Sequence, residues 1–363
     1  MAPNPIEGIG LHAIGATSAS TCYLPYHKTK KWSWVSYWLV QSLFAWILTP
    51  FVLAILTIPD FFTVIHEAPS RTLWLTFLFG AVYGFGGMSF GFATRYIGYS
   101  LTYAISIGIS AVLGTLLPLI MHGTLTTYFQ QVGGHIIGLG MLIAIIGVGL
   151  CGLAGFRKEQ EIKLKHISQQ PDATRQSFNM RTGLLLAIAA GVLSGIFNIA
   201  LEYGQPISDI AAKKGAGIFE GNAKLIIATS GCFVINLIWF TILAIKEKRF
   251  KEFSSAHYTP SDNSNTTTTP QKPARLWKNL CWSSFGGILW CMQFFFYGLG
   301  HVKMGSLQFA SWVIHMSMLI FFSFLVGIGM KEWKNVSKKT YGTLIIALVT
   351  LAISFIIMSY AGM

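Results

Sequence analysis

The chain has 363 residues, 53% of them hydrophobic and only 11% charged, where an average soluble domain is about a quarter charged. With a mean hydropathy of +0.56, it has too little polar surface for water-soluble domains, which excludes a disordered chain, a nucleic-acid-binding domain and an ordinary cytosolic enzyme. The net charge of +13 then belongs in the loops of a polytopic membrane protein, not with a nucleic-acid partner.

About 20 apolar residues carry a helix across the hydrocarbon core, and ten stretches of the chain qualify. The first, 8–26, is small and polar, with His12 ahead of a face of Gly15, Ala16 and Ala19; such a stretch survives in a bilayer only when packed among other helices. No basic segment precedes it, so it is not read as a cleaved signal peptide. Lys30-Lys31-Trp32-Ser33-Trp34 leads into the second stretch, 34–58, as a basic anchor with interfacial tryptophans. The third, 72–94, is dense in glycine (Gly80, Gly84, Gly86, Gly87, Gly91) and is followed by Arg95. The fourth and fifth are 99–121 and 135–155, and a polar linker, 156–181, follows.

The sixth stretch, 182–203, sets Ser194, Asn198, Glu202 and Gln205 along one helical face. Glu202 is the only carboxylate lying within a span at any depth. The seventh, 223–245, precedes a Ser-, Thr-, Asn- and Pro-rich loop within 246–278, expected to be flexible. The eighth, 279–300, aligns Trp290, Gln293 and Tyr297; the ninth, 305–330, aligns Gln308, Ser311 and His315 beside Trp312; the tenth is 340–360.

Of the 26 Lys and Arg, 21 lie in loops after odd-numbered stretches and 5 on the other side. That split supports ten spans with both termini outside. It also puts the tripeptides at Asn265 and Asn335 on the cytoplasmic side, where they are chance matches to the glycosylation signal. The five cysteines form no CxxC pair or metal spacing, and no Walker A, GxSxG or HExxH motif is present.

Phe79-Gly80-Ala81 through Phe90 to Ser100-Leu101 matches Phe285-Gly286-Gly287 through Phe296 to Ser306-Leu307 at a constant offset of 206 residues, with Arg95 opposite His301. The third stretch thereby pairs with the eighth, as in two five-helix halves. An odd number of spans per half makes the halves opposite in orientation, the architecture of secondary transporters with a midplane site. The expected fold is thus an all-α polytopic membrane protein, ten transmembrane helices as two inverted repeats: 1–155, the cytoplasmic linker 156–181, and 182–363.

Amides, imidazoles and aromatic faces suit a neutral polyol, since hydroxyls need paired donors and acceptors and a sugar's C–H face stacks on a ring. The expected substrate-binding residues are His12, Asn198, Trp290, Gln293, Tyr297, Gln308, Trp312 and His315. The expected proton-coupling residues are Glu202 and His315, a carboxyl or an imidazole being what proton coupling requires.

The run Leu289-Trp290-Cys291-Met292-Gln293-Phe294-Phe295-Phe296-Tyr297 with Gly300-His301 resembles the L-rhamnose/proton symporter family. So do Ser311-Trp312 with His315-Met316-Ser317, Lys331-Glu332-Trp333, the Lys30 to Trp34 run, His12 with Gly15-Ala16, and Arg95-Tyr96 with Gly98 and Ser100. The likeness covers nearly the whole chain and is strongest in the eighth and ninth stretches. It implies the drug/metabolite transporter superfamily, proton-driven uptake of L-rhamnose or a related deoxy sugar, and the bacterial inner membrane. No cofactor beyond the coupling proton, no enzymatic activity and no obligate protein partner are expected. The chain departs from the family pattern in having Gln308 where an acidic residue can stand, and Glu202 where relatives carry an amide. Sodium coupling or facilitated transport stays open on that ground. The rivals are an exporter of drugs or metabolites on the same fold and, from another class, an intramembrane enzyme.

Overall fold

The computed structural model describes residues 4–130, 133–167, 180–254 and 276–360. Its long helices are α1 (Pro5–Thr21), α2 (Trp34–Thr57), α3 (Ser70–Ile97), α4 (Tyr99–Met121), α5 (Gly134–Ile167), α6 (Met180–Tyr203), α7 (Gly221–Lys246), α8 (Leu276–Lys303), α9 (Ser311–Gly329) and α10 (Lys338–Tyr360). Among the described residues, eight helical segments are long and apolar enough to cross a membrane; α1 and α8 fall outside that criterion. Large apolar side chains such as Leu56, Leu185 and Ile346 are at least 60% exposed. In water that would be an aggregation surface, whereas hydrocarbon accepts it. The chain is a multi-pass membrane protein.

Local chemistry sets the helix ends. Asn4 Oδ1 accepts from the Glu7 amide at 3.2 Å, with Pro5 in the first turn of α1. Ser33 caps α2 by accepting from the Ser36 amide at 3.3 Å. Within α2, residues Phe44–Leu48 widen into a π-helical turn. Pro50 causes it: without an N–H, it cannot bond the Trp46 carbonyl one turn earlier. Between α3 and α4 the chain turns at Gly98, whose φ of +80° suits glycine.

Helix α1 packs on α8 and α9, and α6 packs on α3 and α4. Helix α2 lies against α8 and α7, while α7 also lies against α3. Helices α5 and α10 form a peripheral pair, joined to the rest by α4 and α9. A Cβ at Gly80 would overlap the Ala228 carbonyl of α7, and one at Gly286 would overlap the Tyr37 hydroxyl of α2. The two glycines related by the 206-residue offset thus each permit a close helix crossing.

Four boundaries differ from the sequence expectation. The first stretch, 8–26, is α-helical from Pro5 only to Thr21, and Leu24–Lys28 is a 3-10 turn in which Pro25 supplies no N–H to continue the helix. Helix α5 runs on to Ile167, into the expected linker 156–181, because its polar end has partners. Arg157 donates to Thr343 Oγ1 at 2.8 Å, and Glu161 accepts from the Ser337 amide and hydroxyl, both at 2.6 Å, capping α10. Residues 168–179 lie outside the described residues, as do 255–275 of the loop expected to be flexible, Asn265 included. The start of that loop is packed: the short helix Lys251–Ser254 brings Glu252 to the Ser33 amide at 2.7 Å and its carbonyl to Trp32 Nε1 at 3.2 Å. The interfacial anchor at Trp32 is therefore a buried joint. Finally, α9 begins at Ser311, and Gly305–Ala310, which holds Gln308, is a 3-10 turn.

Candidate functional site

Two polar irregularities build the centre. Pro118 inside α4 cannot donate to the Gly114 carbonyl, and Asn198 of α6 fills the vacancy, its Nδ2 donating at 2.7 Å. The Asn198 oxygen accepts from the Tyr297 hydroxyl at 3.2 Å, which ties α8 to the same point. One turn along α4, the Ser110 carbonyl accepts from Trp312 Nε1 of α9 at 2.9 Å. Helices α4, α6, α8 and α9 are thus joined by three side-chain bonds, one of them to the carbonyl that Pro118 leaves free. Asn198→Ala removes both amide bonds; a loss of about 1–2 kcal/mol is expected, read as a lowered unfolding temperature in detergent.

Tyr297 stands at the middle of a ring cluster. Its ring centroid is 5.5 Å from His12, 5.4 Å from His315, 5.4 Å from Trp312 and 5.8 Å from His301; His12 and His315 are 5.6 Å apart. His12 and His315 are fully buried, and none of their four ring nitrogens has a hydrogen-bond partner. Orphaned buried polar atoms are costly, about 1–3 kcal/mol each, and such sites mark groups held ready for a proton, water or ligand.

A cavity of about 70 Å³ lies beside this cluster, between α1, α2, α3, α4, α6, α8 and α9. That is room for roughly five water-sized groups. Trp290, Gln293 and Trp312, three of the residues expected to bind substrate, line it together with Ser194. So do Trp38, Trp46, Tyr83, Tyr103 and Phe197, which the sequence did not single out. Trp46 reaches Trp290 edge-on at 5.2 Å, carried there by the π-helical turn ahead of Pro50. Trp38 is held by donation from Nε1 to Asn236 Oδ1 at 3.1 Å. No polar stripe announced these aromatics, because a cavity-lining Trp in an apolar helix reads like a core Trp.

Asn198, Glu202, Gln205 and Tyr297 line a second, smaller cavity of about 20 Å³, with His301, Glu220 and Lys224. Glu202 is half-buried. Lys224, within the seventh stretch, belongs to α7 and donates to Gln205 Oε1. Gln308 lies apart: it is exposed on the 3-10 turn and lines neither cavity. At the opposite end, Tyr23 and Tyr103 separate the central cavity from a vestibule of about 240 Å³ bordered by Ser20, Ser100, Ser323 and Glu332. There Lys158 bridges Ser100 Oγ at 3.1 Å and Glu332 at 3.2 Å. A groove of about 590 Å³ between α4, α5 and α9 is almost wholly apolar and has no convergent polar groups, so it is not the site.

The sequence profile of the L-rhamnose-proton symport protein family matches residues 1–363. Relatives named L-rhamnose-proton symporter from Klebsiella pneumoniae (strain 342), Shigella flexneri and Escherichia coli O17:K52:H18 are each 32% identical over 352 residues, covering 96% of this chain and 95% of theirs. With the family profile matching its full length and relatives of that name 32% identical over 96% of it, the chain belongs to the L-rhamnose-proton symport protein family.

Proposed function

We propose that this protein takes up L-rhamnose, or a related deoxy sugar, together with a proton by alternating access. The carrying observation is the aromatic cavity with its single lining amide, Gln293, set beside two buried histidines that lack partners. Trp290 and Trp312 stack on the ring and Gln293 hydrogen-bonds hydroxyls; Ser110 Oγ, also buried and unpartnered, is a further donor at the cavity. Asn198, Tyr297 and His12 reach the sugar when the Tyr297–Asn198 bond opens. Gln308 lies outside the cavity in this conformation and joins the site only if the 3-10 turn Gly305–Ala310 moves inward. His315 or Glu202 carries the proton.

The ten-span, inverted-repeat architecture of the drug/metabolite transporter superfamily is part of the same proposal. It is supported by the packing pattern: adding five to each helix number turns α1 on α8 and α9 into α6 on α3 and α4, and α2 on α8 into α7 on α3. The pairs α2–α7, α4–α9 and α5–α10 map onto themselves. The bacterial inner membrane is what the family resemblance implies, and the charge split supports both termini outside, a reading in which Glu202 stands at the outer side and Glu332 at the inner. A larger vestibule inside than outside fits an inward-facing state.

Uptake of labelled L-rhamnose with simultaneous external alkalinisation tests the function. Its absence in proteoliposomes under an inward proton gradient overturns it. An exporter on the same fold is favoured by one observation, the dominance of aromatics over amides in the lining; net efflux with no rhamnose counterflow would establish it. Within the symporter, Trp290→Ala removes a stacking face worth about 1–2 kcal/mol. The half-saturation concentration for sugar is expected to rise roughly 5- to 30-fold, measured by counterflow.

A further inference from the structure

The vestibule of about 240 Å³ has room for roughly sixteen water-sized groups, against roughly five in the central cavity. A deoxyhexose has eleven non-hydrogen atoms, so the central cavity must widen to take one and the vestibule need not. Three buried hydroxyls, of Ser20, Ser100 and Ser323, line the vestibule with the Glu332 carboxylate, and Leu24, Phe324 and Val326 supply apolar surface. The fold orients these polar groups. Ser20 Oγ donates to the carbonyls of Ala16 at 2.7 Å and Leu319 at 3.1 Å, and Ser323 Oγ donates to Ser20 Oγ at 3.2 Å. Both protons are thereby committed, which turns oxygen lone pairs to the ligand as acceptors. Ser100 Oγ accepts from Lys158 at 3.1 Å, which leaves its own O–H to donate. Lys158 also holds Glu332 Oε2 at 3.2 Å and lies 5.0 Å from the Trp333 ring centroid, so the carboxylate is a fixed, charge-assisted acceptor.

We propose that the vestibule is a second sugar-binding site, which holds a neutral deoxy monosaccharide between the central cavity and the surface of the protein. This rests on the sugar-uptake reading above and adds a site to it. Sugar hydroxyls donate to Ser20, Ser323 and Glu332, and another accepts from Ser100. The methyl group and the C–H face lie on Phe324, Val326 and Leu24, the mixed surface that a deoxy sugar presents. Tyr23 and Tyr103 line both cavities, so a sugar that leaves the centre passes these two rings and meets the serines next. The Glu332 carboxylate is balanced by Lys158 and repels an acidic sugar, which selects for an uncharged one.

The test is protection of a reporter thiol in the purified full-length protein in detergent. Val326→Cys and Met330→Cys each place a thiol at the vestibule wall. Both carry Cys281→Ser, since Cys281 is exposed and the other four cysteines are buried. A charged methanethiosulfonate labels the reporter. L-Rhamnose at about ten times its half-protecting concentration is expected to slow labelling about 10-fold, because about a tenth of the sites then stay empty. Adding Ser20→Ala and Ser323→Ala is expected to raise the half-protecting concentration about 5- to 30-fold. Adding Trp290→Ala, which weakens the central site, is expected to leave it unchanged. Protection that shifts with Trp290→Ala and not with the two serines reports closure driven from the central cavity and overturns the vestibule site. Counterflow of L-rhamnose by the reporter proteins in proteoliposomes, with no protection at either position, also overturns it. If the unsubstituted protein shows no L-rhamnose counterflow, the uptake reading itself fails, an outcome distinct from both.

Discussion

Replacing His315 by glutamine or alanine is expected to collapse concentrative sugar uptake to simple equilibration. His315 is fully buried, neither ring nitrogen has a partner, and Tyr297 and His12 stand 5.4 and 5.6 Å away by ring centroid. In the proposed symport, a proton arriving there would carry the driving force to the sugar. One charge crossing about 100 mV is worth about 2.3 kcal/mol, and at about 1.36 kcal/mol per decade that sustains roughly a 50-fold sugar gradient. With the acceptor gone, the accumulation ratio should fall from that scale to about one, while counterflow survives. Glu202→Gln is the companion experiment, because Glu202 lines the smaller cavity and lies off the ring cluster. If both variants still accumulate sugar with protons, neither residue is the coupling group.

The second large effect is architectural. Gly80→Val and Gly286→Val are each expected to abolish assembly of the bundle. At Gly80 the added Cβ would overlap a backbone carbonyl, at Ala228, which has no rotamer to change. At Gly286 it would meet the Tyr37 hydroxyl and approach the Cys22 carbonyl. Overpacking in a core costs about 1–3 kcal/mol even where side chains yield, and rigid backbone raises that. Gly149→Ala is the control, since nothing lies within 4 Å of a Cβ built there. Yield of monodisperse protein in detergent reads the effect. Normal yield from the valine variants would show that these crossings do not hold the bundle together.

Much of the membrane architecture was legible in the residues because the bilayer imposes a length and a polarity on every span. The start of α2 at Trp34, the span of α4 from Tyr99 and the end of α6 at Tyr203 fall where the apolar stretches put them. The misses have local causes. Helix α5 outran its apolar stretch because Arg157 and Glu161 found partners on α10, which hydropathy does not register. Gln308 shares a helical face with Ser311 only if the helix starts early, and the 3-10 turn at Gly305–Ala310 breaks that phase. Lys224 entered the sequence reading only as a charge on the less basic side, because what surrounds it, Gln205 and Glu202, comes from helices that only the fold brings near.

The candidate site divides the same way. Asn198, Tyr297, Trp312, His12 and His315 stood out because polar and amphipathic side chains are expensive in a bilayer and so carry information one residue at a time. What they touch was not legible. That Asn198 would answer the carbonyl freed by Pro118, 80 residues earlier in the chain, depends on α4 and α6 lying side by side. That Trp38, Trp46 and Tyr83 face a cavity depends on helix rotations that apolar sequence leaves nearly degenerate. The sequence alone determined the solvent, the apolar stretches and the scarce polar groups, since each is set by transfer free energies summed along the chain. Which of those groups meet was decided by tertiary structure, because only the close helix crossings at glycine and the unpaired carbonyls behind proline bring distant helices to one point.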